Sequence, residues 1–173
     1  SSVTTLLQGV DTAAFHPHNK TRWLGERFLI YSGGKLEFRK GQDLVMRAVS
    51  HFIATHPDAV LVTAWDSPWQ GLAQQLDHSG VAEPVVMDAN NRVDVEAWAA
   101  QHGIGPDNLI TLGLTPNSQM ASIVRQMDVA VFPNRAEGGT NLVAMECMAC
   151  GVPTIVSRNT GHLDLLSGPG EPA

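Results

Sequence analysis

Apolar and polar positions alternate between two kinds of pattern along this chain. Arg27 to Ser32 is a short aliphatic and aromatic run closed by Gly33-Gly34, which predicts a buried strand. From Gly41 to His56, apolar residues fall at 44, 45, 48, 49, 52 and 53, the period of an amphipathic helix, and Pro57 stops it. Ala59 to Ala64 is a second continuous apolar run. Trp65 to Leu76 has mixed polarity, the stretch 77–91 carries no clear pattern, and Arg92 to His102 reads as helix. A strand at 108–112, a helix at 118–127, a strand at 128–132, a helix at 140–150 and a strand at 153–156 follow.

Strands that lack inside/outside alternation, each followed by a helix, imply a parallel sheet covered on both faces. The expected fold is α/β: a doubly wound, Rossmann-like parallel sheet in a single domain. In such sheets ligands bind beyond the carboxyl ends of the strands, where helix amino termini present unpaired N–H groups. The loops to inspect are therefore 33–41, 65–70, 113–117, 133–141 and 157–162.

Composition supports a folded chain: 173 residues, 43% hydrophobic and 16% charged. Seventeen acids against eleven bases give a net charge of −6, which argues against non-specific nucleic-acid binding. No apolar run approaches the roughly 20 residues of a membrane span, and no leader pattern is present, so a cytoplasmic protein is expected. The two cysteines, Cys147 and Cys150, lie in an apolar stretch without a second ligand pair, and packing roles are expected for both. The seven histidines show no metal-binding spacing. The chain starts at Ser1 and ends in the loop-like stretch 167–173, which suggests a piece of a longer protein: an entry segment over 1–26, the α/β domain over 27–166 and a tail over 167–173.

The loop after the first strand, Gly33-Gly34-Lys35-Leu36-Glu37-Phe38-Arg39-Lys40-Gly41, sets three cations between glycines and ends at a helix amino terminus. Glycine admits a ligand close to the backbone, the helix end adds partial positive charge, and Lys35, Arg39 and Lys40 offer charge-assisted hydrogen bonds. A diphosphate matches all three features. Simple solvation of an exposed charged loop is the alternative. The stretch fits neither a Walker A loop nor a Gly-x-Gly-x-x-Gly fingerprint.

The second candidate lies in Pro133 to Pro153. Glu137 precedes Gly138-Gly139, a turn able to aim main-chain N–H groups at an anion, with Thr140 or Asn141 available to cap the next helix. Glu146 is the only charge between Thr140 and Cys150, and Leu142, Val143, Ala149 and Cys150 share its side of the helix. Such a carboxylate needs a polar partner. A pair of vicinal hydroxyls would serve, as would an internal ion pair with Arg135 or Lys35.

These residues resemble the retaining glycosyltransferases of GT-B fold, especially family 4 (glycosyl transferases group 1), and specifically their nucleotide-sugar-binding C-terminal half. The stretch Gly34 to Gly41 is similar to the family's Gly-Arg-Leu, three residues, Lys-Gly segment, with Lys35 in place of arginine. Pro133 to Gly138 is similar to its Pro-Ser-Arg, one residue, Glu-Gly stretch, and Glu146 to Pro153 to its Glu-Ala-Met-Ala-Cys-Gly-Val-Pro stretch. The family spaces its two glutamates by seven residues, whereas eight separate Glu137 and Glu146, the extra one falling within Gly139-Thr140-Asn141. Val10-Asp11 and Phe15-His16-Pro17 resemble the family's entry into this domain.

The resemblance implies transfer of a sugar from a nucleotide diphosphate sugar to an acceptor hydroxyl with retention. Lys35 and Lys40 would stabilise the leaving diphosphate, Glu146 would hold the ribose and Glu137 the sugar; the catalytic set is then Lys35, Lys40 and Glu137. Gly33, Gly34, Arg39, Gly138, Gly139, Thr140 and Asn141 would complete the donor site. From their position just after strands, and not from the resemblance, Gly113 and Leu114 are expected to meet the base through backbone groups and Gly161 and His162 to border the sugar. With no Asp-x-Asp pair in a strand-end loop, no metal and no cofactor beyond the donor itself are expected. The partners implied are the nucleotide-sugar donor, an acceptor of unstated identity and an N-terminal domain preceding residue 1, through which any peripheral membrane association would run. The fragment alone is expected to be inactive. A catalytically silent nucleotide-sugar or protein-binding module on the same scaffold is the alternative.

Overall fold

The computed structural model describes residues 8–166; the first seven residues of the expected entry segment and the expected tail, 167–173, lie outside them. Five strands form one parallel sheet in the order β3-β2-β1-β4-β5. They are β1 (Phe28–Lys35), β2 (Ala59–Asp66), β3 (Leu109–Thr111), β4 (Val129–Phe132) and β5 (Thr154–Val156). Between them run the helices α1 (Gln42–Thr55), α2 (Gln70–Ala73), α3 (Val95–Gln101), α4 (Asn117–Val124) and α5 (Leu142–Ala149), and α6 (Leu163–Leu166) follows β5. The expected doubly wound architecture is the observed one.

Burial explains why the central strands carry apolar side chains on both faces. Leu29, Tyr31, Val60 and Val62 pack with α4, α5 and the loop residue Phe15, whereas Ile30, Leu61 and Trp65 pack with α1 and α3. At about 25 cal/mol per Å² of apolar surface removed from water, these two layers supply the main drive to fold.

Two departures from the sequence expectation bear on the site. First, β1 does not stop at Ser32. It continues through Gly33, Gly34 and Lys35, paired with Ala64, Trp65 and Asp66 of β2, because the neighbouring strand supplies a ladder that local glycine propensity does not foresee. Second, residues 67–93 hold α2, a 3-10 turn over Gln74–Ser79 and an antiparallel bridge between Met87 and Val93.

Residues 8–26 lie against the domain. Phe15 is buried in the core, Lys20 pairs with Asp128 at 2.7 Å, and Arg125 donates to the carbonyls of Ala14 and His16. Among the described residues no helix is long and apolar enough to cross a membrane.

Candidate functional site

The strand order reverses direction between β1 and β4. Chain connectivity runs outward from β1 to β2 and β3, then returns to β4 and β5, which leaves a crevice beyond the carboxyl ends of β1 and β4. The two loops flagged in the sequence meet there. Gly41 shows how closely: its φ is 72°, and a Cβ placed on it would lie 2.5 Å from the carbonyl oxygen of Pro133. Only glycine fits this contact between the β1 and β4 loops.

A cavity of about 240 Å³ opens at this crevice, and it gathers five of the predicted residues: Gly34, Lys35, Gly113, Leu114 and Glu146. Gly33 lies alongside; a Cβ there would collide with the Tyr31 ring and come within 3.0 Å of Val143, both of which line the cavity. The remaining lining includes Asp66, Thr115 and Asn117, which the sequence did not single out. All three fall in the strand-end loops 65–70 and 113–117, but their residue types carry no pattern that separates them from their neighbours there.

Glu146 finds neither of the ionic partners considered for it. Arg135 is committed elsewhere, bidentate on the buried carboxylate of Asp43 at 2.8 and 2.6 Å and stacked over the Phe38 ring. Lys35 holds its ammonium 4.6 Å from the centre of the Trp69 ring. Instead Asn117 Nδ2 donates to Glu146 Oε1 at 3.0 Å. Burial pushes the Glu146 carboxyl above the usual range, and the Asn117 hydrogen bond offsets only part of that. A half-buried carboxylate with one neutral donor retains capacity to accept from a ligand.

The other predicted residues form a second cluster that does not line this cavity. Glu137, its side chain 6% exposed, accepts from Lys40, from Arg39 Nη1 at 2.6 Å and from Asn134 Nδ2 at 2.6 Å. Burial raises its carboxyl, but the two cations outweigh that and hold it below the usual carboxylate range. Arg39 also pairs with Glu37 at 2.6 Å. The charges of Arg39 and Lys40 are thus balanced within the protein, whereas among the described residues no carboxylate pairs with Lys35.

The turn that follows is held by its neighbours. Glu137 N–H donates to Thr160 Oγ1 at 2.8 Å, and Gly161 packs so closely on the backbone of Gly139 that any Cβ would overlap it. Neither Gly138 nor Gly139 takes a positive φ; the requirement for glycine falls on Gly161. Asn141, not Thr140, caps α5, accepting from Ala144 N–H at 3.3 Å. Among the described residues, no acceptor takes the amides of Gly138, Gly139 and Thr140, which precede the cap of α5.

His162 does not border the cavity. It is fully buried, and Asn141 Nδ2 meets its Nε2 at 3.1 Å while its Nδ1 lies 3.2 Å from the Ser157 carbonyl. An amide NH₂ facing Nε2 makes that nitrogen the acceptor and Nδ1–H the donor, and burial pushes the imidazole pKa down. The ring is a neutral strut between the β5 loop and the cap of α5. Cys147, on α5, and Cys150, its C-cap, are buried and unbridged, and both pack into the core layer that α5 covers.

Residues 16–168 match the family described as glycosyl transferases group 1. The chain is 28% identical over 159 residues to a D-inositol 3-phosphate glycosyltransferase of Acidothermus cellulolyticus, covering 88% of this chain and 32% of that protein. It is 28% identical over 167 residues to a GDP-mannose-dependent alpha-(1-6)-phosphatidylinositol monomannoside mannosyltransferase of Mycolicibacterium smegmatis, covering 88% and 37%. The chain thus spans about a third of the length of these curated relatives. In fold it is similar to the C-terminal domain of a glycosyl transferase group 1 family protein, LpcC, from Francisella tularensis, with a TM-score of 0.64 and 23% identity over 87% of this chain and 71% of that one.

Proposed function

Because the chain belongs to the glycosyl transferases group 1 family, we propose that it is the donor-binding half of a retaining glycosyltransferase, taking a nucleotide diphosphate sugar without a metal ion. The observation that carries this reading is the meeting of Lys35, Gly34 and Glu146 in one cavity at the β1/β4 reversal, a cation and an acid set to hold different parts of one ligand.

In this reading the nucleotide lies along the cavity. Glu146 accepts from the two ribose hydroxyls, its second oxygen being free of Asn117. Backbone groups at Gly113 and Leu114 meet the base. Lys35 faces the diphosphate from the cavity wall, and the amides of Gly138, Gly139 and Thr140, which no acceptor takes among the described residues, are the further donors for it from the neighbouring loop. As the bond to the sugar breaks, negative charge grows on the departing diphosphate, and a fixed ammonium stabilises that state more than the ground state. Lys35 thereby takes the charge-neutralising part that a divalent ion takes elsewhere, so binding should survive EDTA.

Lys40 and Glu137 enter as a coupled pair. A donor sugar that draws Glu137 toward its hydroxyls releases Lys40 for the phosphates, so the two contacts form together. The acceptor site and the opposite wall of the cleft belong to a preceding N-terminal domain.

Calorimetric titration of the chain with UDP, GDP and ADP tests the site. One of the three should bind, and Lys35→Ala and Glu146→Ala should each weaken it about tenfold or more, the scale of one charged hydrogen bond. Unchanged affinity in both variants rejects the site. Retention is read from the anomeric configuration of the product made by the longer protein carrying an N-terminal domain.

A further inference from the structure

The loop after β2 places an aromatic ring under the cation on which the donor site depends. Trp69 is 56% exposed, an unusual cost for so large an apolar side chain. The loop fixes its backbone: Trp69 N–H donates to Ser67 Oγ at 3.2 Å, and its carbonyl accepts from the Ser67 hydroxyl and from Leu72 N–H at 3.0 Å. The Lys35 ammonium sits 4.6 Å from the ring centre. The backbone of Lys35 is fixed independently, by the β1/β2 ladder opposite Asp66 and by Gln42 Nε2 donating to its carbonyl at 2.6 Å. Only the flexible four-carbon stem is left to be ordered, and the indole face orders it.

The nature of this partner matters. Asp66 lies directly across the ladder from Lys35 and also lines the cavity, yet its carboxylate is engaged by Arg92 at 3.2 Å. A carboxylate partner would neutralise Lys35, as Glu137 neutralises Lys40. An aromatic face holds a cation through its quadrupole and leaves the net charge in place.

We propose that Trp69 is a positioning residue for donor binding: its indole face holds the Lys35 ammonium, still fully charged, where the diphosphate arrives. The inference rests on the donor-site reading above and extends it to a residue outside the family motifs. A lysine lacks the planar fork by which an arginine locks itself onto a phosphate, so its geometry has to be supplied from outside. The ring supplies it.

Two measurements test the pair. In the free chain, the Lys35 ε-methylene protons should be shifted upfield by the indole ring current, and Trp69→Leu should return them to ordinary lysine values; ordinary values in the unsubstituted chain overturn the pairing. In calorimetry with the best-bound of UDP, GDP and ADP, Trp69→Leu should weaken binding about 2- to 5-fold, the size of an exposed cation–π contact, and Trp69→Phe should restore most of it. In the Lys35→Ala background the Trp69→Leu change should have no further effect. Equal losses from Trp69→Leu with and without Lys35, or no loss at all, overturn the positioning role while leaving the donor site standing. If the unsubstituted chain binds none of the three nucleotides, the donor-site reading itself is overturned and the role of Trp69 with it.

Discussion

Lys40 and Glu137, 97 positions apart in the chain, form an ion pair that ties the loop after β1 to the loop after β4. The pair is well shielded, with 14% and 6% of the two side chains exposed. Arg39 shares the same carboxylate but is 41% exposed. Burial therefore separates two cations that are adjacent in the chain.

Replacing Lys40 by methionine should destabilise the fold by about 1–3 kcal/mol, because it strips a shielded carboxylate of its closest cation. Arg39→Met should cost under about 1 kcal/mol, since solvent screens most of what that pair contributes. Urea unfolding of the two variants at neutral pH gives the comparison, and equal losses would contradict the assignment.

Glu146→Gln should separate binding from stability. Burial raises the Glu146 pKa in the folded chain, so folding is disfavoured as pH climbs through that raised value and the carboxyl ionises. The amide carries no such penalty, and at pH 7.5 the variant should be at least as stable as the unsubstituted protein. Nucleotide binding should nevertheless fall about tenfold, from loss of the charged acceptor for the ribose hydroxyls. A variant that is both weaker in binding and clearly less stable would mean that Glu146 is chiefly a structural residue.

Acid should act on this protein in two stages. His162 is held neutral by burial, with its folded pKa below the unfolded one, so stability present above about pH 6.5 declines as pH falls below it. The carboxyls of Glu137 and Asp43 are held low in the folded state, and their contributions are lost as pH falls below about 4.5 for Glu137 and about 3.8 for Asp43, toward their folded values. A His162→Gln variant should show a smaller loss between pH 7 and pH 5 than the unsubstituted chain, and the same further loss below pH 4.5. Parallel stability profiles across the first interval would remove His162 from the account.

Gly41→Ala should cost about 2 kcal/mol or more, from an alanine forced to positive φ and a methyl pressed against the Pro133 carbonyl. Gly103 has a similar φ of 73° with open space around it, and Gly103→Ala should cost only the conformational part, about 1 kcal/mol. The difference between the two unfolding free energies measures the close approach of the β1 and β4 loops.

The layered architecture was readable because its signals are local. The apolar period of residues 44–53 marks α1, observed at Gln42–Thr55, and the apolar runs at 59–64 and 128–132 mark β2 and β4. Glycine punctuation is weaker than it looks: Gly33-Gly34 resembles a strand end, but pairing with β2 carries β1 on to Lys35. At the site, Lys35 and Glu146 stand out because a cation between glycines and an acid on an apolar helix are both anomalies of residue type. Which partner each takes depends on chain segments far away in sequence. Asn117 for Glu146 and Trp69 for Lys35 follow from how α4 and the β2 loop close on the crevice, and no spacing rule encodes them.

The order β3-β2-β1-β4-β5 has a consequence for assembly of the site. Lys35 belongs to the first strand laid down and Glu146 to the last helix before the final strand, so neither half of the chain holds a working fraction of the cavity. A molecule that bridges them fastens the beginning of the fold to its end, and its occupancy should be felt as cooperative resistance to unfolding throughout the sheet, well beyond the loops it touches.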